Sequence, residues 1–252
     1  MSIDSLDWRV DAVSTLEQDL PPASPGGHSF KAGDLVYLTT LARTSKGEIF
    51  SFAAPNVSAM ALNIAFSAAR SANELRQQIS YQTCSSQWGT AQAVAPDQLE
   101  TLFAFIENCI VCVTFSFQAL EAFCNYSISR NWRKPIEIKR KKKKELLNHE
   151  ETERQLSTEE KLKSVLPKIY NKPTPAGKAI WERFIEIKKA RDSCIHIKYR
   201  DQCSNGQTID EGNLFFHFLG NDPTIFPSVA KEMITYFYAQ EDRPRWMQHL
   251  PS

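Results

Sequence analysis

The chain has 252 residues, 42% hydrophobic and 23% charged, with a net charge of +1 at pH 7. That length holds one large domain or two small ones, with a core that needs neither disulfides nor metal, and the composition excludes a disordered chain. The near-neutral balance excludes a one-signed field over the whole molecule, so any footprint for nucleic acid has to be local.

The opening MSIDSLDWRV is polar and lacks the apolar stretch of a secretory signal. The longest apolar run, CIVCVTFSF, lies between Glu107 and Gln118 and falls far short of the ~20 residues that cross a bilayer, so a cytosolic, membrane-free protein is expected. Cys84, Cys109, Cys112, Cys124, Cys194 and Cys203 are then expected to be reduced. Cys109 and Cys112 form one C-x-x-C inside an apolar helical run, with no second pair to complete a zinc site, and read as core. The glycines form neither of the common nucleotide-binding loops, and no metal or cofactor is expected.

In chain order, residues 1–30 hold one short helix and the LPPASPGG loop. Residues 34–53 predict two short strands around a Ser45–Lys46–Gly47 turn. Residues 56–80 are Ala-rich and predict a helix, and Trp88 with its Gly, Ala and Thr neighbours marks a loop. Asp97 can cap the strongest element, in which Leu99, Leu102, Phe103, Ile106, Cys109, Ile110, Val113, Phe117, Leu120 and Cys124 recur at three and four. This predicts one helix over 97–128, apolar on more than one side and hence deep in a bundle or an oligomer.

Residues 131–160 are the most charged segment, basic first and acidic second. A short helix over 158–170, capped by Thr158, a turn at NKPTPAGK, a helix over 177–198, a loop at DQCSNGQTIDEGN and an amphipathic helix from Phe226 to Gln240 complete the pattern. The expected fold is mainly α: an N-terminal extension of mixed helix and short strands, partly β, over 1–95, a helical bundle over 96–240 with a charged insertion at 131–160, and a tail over 241–252.

The chemistry-bearing stretch is WERFIEIKKARDSCIH, with Arg191, Asp192 and His196 at its end. Together with FQALEAFCNYSI near the end of the long helix and the polar insertion between, it resembles HEPN domains, whose mark is an Arg followed by a polar residue and, after four to six intervening residues, a His. The resemblance covers about residues 97–240. It implies an all-α, HEPN-like bundle, a two-fold homodimer and a metal-independent endoribonuclease, acting as a toxin or anti-phage defence effector, with an antitoxin or regulatory protein as a further partner. Arg191 and His196 would be the catalytic pair and Asp192 their support. Members that have lost the chemistry bind RNA or protein only, which is the alternative reading.

The residues suit that chemistry. A His titrating near neutrality can take the proton of an RNA 2′-OH, and an Arg can hold the neighbouring phosphate as charge develops on it. Such a cut leaves a 2′,3′-cyclic phosphate. Five positions on an ideal helix are about 140° apart, so Arg191 and His196 flank a groove, or the helix ends between them, or a two-fold partner complements the pair. One variant of the family carries a Tyr two residues after the His; here that position is Lys198, with Tyr199 one later, which departs from the pattern.

Plainer roles compete. Arg191 can be a surface arginine paired with Glu186 or Asp192, and His196 a helix-end histidine favoured by the helix dipole. Lys139, Arg140, Lys141, Lys142, Lys143 and Lys144 form either a solvated face or a contact for RNA phosphates. Trp132 and Arg133 stack on a base or anchor the insertion. Glu121 and Asn125, one turn apart, line the same cleft or a plain helix surface. His217, among aromatics, reads as a core or interface residue.

Overall fold

The structure, a computed structural model, describes residues 6–11, 14–22, 24, 26–27, 29–86, 89–131, 135–140, 143–199 and 213–251. It is mainly helical with a few two-stranded antiparallel sheets. Helix α1 (Val57–Gln78) starts at Asn56, whose side-chain oxygen accepts from the Ala59 amide at 2.9 Å. An Asn at this position satisfies one of the amides a helix start leaves open. Its buried face is largely alanine, including Ala59, Ala61, Ala65, Ala69 and Ala72. These small side chains let α1 lie close along helix α2 (Leu99–Asn131), the most extensive helix pairing among the described residues.

Helix α2 is the axis of the fold. Its 33 residues span about 50 Å at 1.5 Å per residue. Phe105, Cys109, Cys112, Val113, Phe117, Leu120, Phe123, Cys124 and Ile128 are buried. It runs past the expected end at 128, since no proline intervenes before Pro135. With the preceding turn it is long and apolar enough in composition to cross a membrane, unlike the shorter run of consecutive apolar residues, but α1 and the later helices pack along it.

Among the described residues the strands form two-stranded antiparallel pairs. Strands β1 (Ser14–Thr15) and β2 (Leu35–Val36) pair, as do β3 (Thr39–Arg43) and β4 (Ile49–Ala53). The second pair turns at Gly47, whose φ of +88° suits glycine, in line with the expected strand–turn–strand. Strands β5 (Tyr81–Ser86) and β6 (Gly89–Val94) form a hairpin in place of the expected loop, and Trp88 lies outside the described residues. The basic half of the charged segment is also a hairpin, β7 (Ile136–Arg140) with β8 (Lys143–Leu147). Its root is apolar: Ile136 and Leu147 face each other in register and both are buried.

Helix α3 (His149–Gln155) begins with a capping box between Asn148 and Glu151. A second capping box, Ser157 with Glu160, starts α4 (Thr158–Glu160), so the cap is Ser157 rather than Thr158. A widened π turn (Lys161–Val165) leads into α5 (Leu166–Ile169). Helix α6 (Ala179–Ile195) is capped by His196, and its last helical residue lies three before the expected 198. Residues 201–212 of the expected loop lie outside the described residues.

A short helix α7 (Leu214–Gly220), capped by Asn213, holds His217 exposed rather than in the core. Helix α8 (Ile225–Phe237) buries Val229, Met233, Ile234 and Phe237. The last residues are anchored too: Trp246, Met247 and Leu250 are buried in the same core that contains Ala59 and Phe105. Each such large side chain contributes about 1.5–3 kcal/mol on burial.

Candidate functional site

Helix α6 fixes where Arg191 and Asp192 sit. Trp181, Phe184, Ile187 and Ala190 form its buried stripe, which packs on α2. Phe184 and Arg191 are seven residues apart, two turns on one face, and both meet Phe117 of α2. The Phe117 and Phe184 rings stack at 6.4 Å between centres, and the Arg191 guanidinium carbon lies 4.5 Å from the centre of the Phe117 ring. Arg191 Nη1 also donates to Asp192 Oδ1 at 2.8 Å. The arginine is thus held from below by a ring face and from the side by a carboxylate, with 29% of its side chain exposed.

His196 is the residue on which α6 stops. Its backbone amide still donates to the Asp192 carbonyl at 2.9 Å, but φ −119° and ψ 55° leave the helical region. The residue is exposed, as are its neighbours Ile195, Ile197 and Tyr199. The helix therefore ends between Arg191 and His196, and no hydrogen bond or ion pair joins the two among the described residues.

The α2 face under Arg191 continues as a polar row. Phe117, Glu121 and Asn125 follow at four-residue intervals and share one face of α2. Glu121 is exposed. Asn125 Oδ1 accepts from Lys161 Nζ at 2.7 Å, and the same ammonium donates to the Glu153 carbonyl at 2.7 Å. Lys161 is only 2% exposed. Burial pulls its pKa below the usual lysine value, while Cys124, Glu121, Glu153 and Glu160 act in the other direction.

One turn before Asp192, Lys188 Nζ donates to Glu159 Oε2 at 2.8 Å, and this carboxylate raises the Lys188 pKa. The two weak cleft candidates of the sequence, Glu121 and Asn125, thus lie on the α2 face that carries the Arg191 platform, with Lys161 behind them. Phe117, Lys161, Lys188 and Glu159 are not singled out by the sequence. For Phe117 and Lys161 no local signal exists, because each takes its role from another element.

The basic run lies elsewhere. Lys139 pairs in register with Lys144, and Arg140 with Lys143; Lys141 and Lys142 lie outside the described residues. Lys144 Nζ meets Glu137 Oε1 at 2.9 Å in solvent. The hairpin follows Asn131 at the end of α2, about 20 Å along the axis from Phe117. Trp132 and Arg133 are outside the described residues.

Burial pushes the Cys109 and Cys194 thiols up to about 12 and those of Cys112 and Cys124 higher still, so none is a ready nucleophile. Among the described residues no group of three His, Cys, Asp or Glu side chains is placed to hold a metal ion. No family model, curated protein or solved structure matches the chain.

Proposed function

We propose that the chain is a HEPN-like, metal-independent endoribonuclease acting as a homodimer. The observation that carries this reading is the Arg191 platform: a guanidinium seated on Phe117 and steered by Asp192, on the helix that ends at an exposed His196. Arg191 would hold the scissile phosphate and His196 would take the 2′-OH proton; the 2′ oxygen bonds to phosphorus as the P–O5′ bond breaks, and the departing 5′ oxygen takes a proton from the resulting imidazolium or from water, leaving a 2′,3′-cyclic phosphate and a 5′-OH. Because the helix ends between them, His196 can complete the site from the side or meet the Arg191 of a second copy.

The exposed Ile195, Ile197 and Tyr199 beside His196 favour the second arrangement, since a partner copy would cover apolar surface at the motif itself. The basic β7–β8 hairpin would contact RNA phosphates away from the cut. A toxin or defence role, an antitoxin-like partner and a cytosolic setting belong to the same reading.

A second reading has its own observation. Arg191 is already paired with Asp192, and His196 stands apart from that pair, as expected of a module that binds RNA or protein without cutting it. Purified protein incubated with total RNA and tRNA in EDTA separates the two. Cleavage by the native chain and its loss in a folded His196→Ala variant supports the nuclease. RNA retention without cleavage by either supports the binding module.

A further inference from the structure

The N-terminal extension, outside the stretch that resembles HEPN domains, holds an open sheet edge. In the β3–β4 hairpin the Thr44 amide donates to the Glu48 carbonyl at 2.9 Å and the Ala54 amide to the Leu38 carbonyl at 2.7 Å. Bonded and non-bonded pairs alternate along an antiparallel ladder, so Ala42 with Phe50 and Thr40 with Phe52 complete the inner bonded set. The amides and carbonyls of Ile49, Ser51 and Ala53 then point the other way. Among the described residues no strand lies beyond them, since this sheet has two strands.

Such an edge is normally blunted by a charge, a proline or a bulge. Strand β4 reads IFSFA, carries none of the three and keeps an unbroken register with β3. Its side chains are uncovered as well. Phe50 and Phe52 share one face, stack at 5.6 Å between ring centres, and are 47% and 42% exposed. Leu38, in line with Thr40 on the same face, and Ile49 on the opposite face are exposed too. A two-stranded ribbon with this much bare apolar surface is marginal on its own in water.

We propose that β4 pairs edge to edge with β4 of a second copy, forming a four-stranded sheet across a two-fold axis at Ser51. A two-fold contact sets one patch against itself, so the patch has to be self-complementary. IFSFA meets this demand because it reads nearly the same from either end. With Ser51 on the axis, Ser51 faces Ser51 of the second copy, Ile49 faces its Ala53, and Phe50 faces its Phe52. The open edge residues thus meet one another, and each such pair exchanges two N–H···O bonds. Phe50 and Phe52 of the second copy form a non-bonded pair, whose Cα atoms lie only about 4.5 Å apart, so the phenylalanines of both copies join in one aromatic strip. The ladder also ends where it should. Pro55, next on this edge, has no N–H, and Gly47, which would face it, lies in the turn at φ +88°. A strand from an unrelated protein would need none of this symmetry. The contact is separate from the one at Ile195, Ile197 and Tyr199 and does not depend on the cleavage reading.

Sedimentation velocity on the full chain tests the pairing with two variants at the axis, Ser51→Lys and Ser51→Glu. Ser51 is exposed, so each variant should keep its fold by circular dichroism. Either variant alone sets like charges opposite each other and should fall to about half the native mass or less. The product is a monomer if this contact is the sole one, and a dimer if the α6 end also joins two copies. An equimolar mixture sets opposite charges across the axis and should regain the native mass. Should a variant fail to fold, amide exchange in the native chain decides: the Ser51 amide should exchange about tenfold more slowly than that of Leu41, on the outer edge of β3. A monomeric native chain, a folded variant that keeps the native mass, a mixture that stays at the mass of the single variants, or equal exchange of the Ser51 and Leu41 amides overturns the proposal.

Discussion

The Arg191 guanidinium stands 4.5 Å above the centre of the Phe117 ring, on the helix face that continues through Glu121 to Asn125. A half-buried cation on an aromatic face gains about 1 kcal/mol. In a double-mutant cycle with Arg191→Ala and Phe117→Leu, chemical denaturation should return a coupling energy near that value. The single Phe117→Leu change should cost about 1–2 kcal/mol, because it also removes the stack on Phe184. Additive single effects would separate the arginine from the ring. Arg191→Lys should lose most RNA cleavage although the charge is kept, because an ammonium cannot grip a phosphate with two parallel bonds.

His196 is exposed, and among the described residues its one bond is the backbone bond to Asp192 in α6. His196→Ala should therefore change stability by less than about 0.5 kcal/mol while cutting cleavage by at least about a hundredfold. Thermal melts and initial rates on one preparation check both halves. A large loss of stability would mark the histidine as structural.

Lys161 is buried against Asn125 Oδ1 and the Glu153 carbonyl. Lys161→Met keeps the volume but leaves two acceptors unpaired, and should cost about 2–3 kcal/mol. Burial sets its folded-state pKa below the ordinary 10.5, so between the two values the unfolded chain binds more protons. Stability from this group should rise with pH across that interval and stay level below it. Buried Cys109, Cys112, Cys124 and Cys194 lower stability in both proteins as the unfolded thiols ionise, so it is the native-minus-Lys161→Met difference in denaturation midpoint that should rise from pH 7 to 10.5.

Asn56 caps α1 with its oxygen and serves the buried Asp11 with its nitrogen. Asn56→Ala removes both bonds, and its cost should exceed the ~1 kcal/mol of a cap alone, reaching about 2–3 kcal/mol. Asn56→Asp keeps the cap but sets a second carboxylate against Asp11, and should destabilise above pH 5 more than below it. Urea titrations at pH 4.5 and 7.5 distinguish the two.

The basic hairpin should act through charge alone. Replacing Lys139 and Lys144 by alanine should weaken single-stranded RNA binding uniformly across sequences. It should also lower the slope of log K against log salt by about 0.7 for each phosphate no longer neutralised. An unchanged slope would make this hairpin a solvated surface.

The long helix is legible because its apolar residues recur at three and four from Leu99 to Cys124, a pattern that needs no knowledge of what packs against it. The β7–β8 hairpin is not, although Ile136 and Ile138 alternate with Glu137 and Lys139. Its lysine run dominates the composition, and only the burial of Ile136 and Leu147 by the bundle roots it. The start of α4 differs from the expected one by a residue: Ser157, three before Glu160, completes a capping box that Thr158 cannot.

At the site, Arg191 and its Asp192 partner are readable because they are neighbours in sequence. Phe117 beneath the arginine is not, because the packing of α6 on α2 creates that contact. A lysine in STEEKLK reads as a solvated side chain, and only the enclosed surroundings of Lys161 make it a core residue. Asp11, near the N-terminus, gives no hint of the buried bond it forms to Asn56, 45 residues away.

The most direct measurement is the chemistry of the RNA ends. Native protein in EDTA should yield 5′-hydroxyl and 2′,3′-cyclic phosphate ends, and folded Arg191→Ala and His196→Ala variants should yield neither above background. Cleavage with other ends, or equal cleavage by the His196→Ala protein, would contradict the assignment of Arg191 and His196 as the reacting pair.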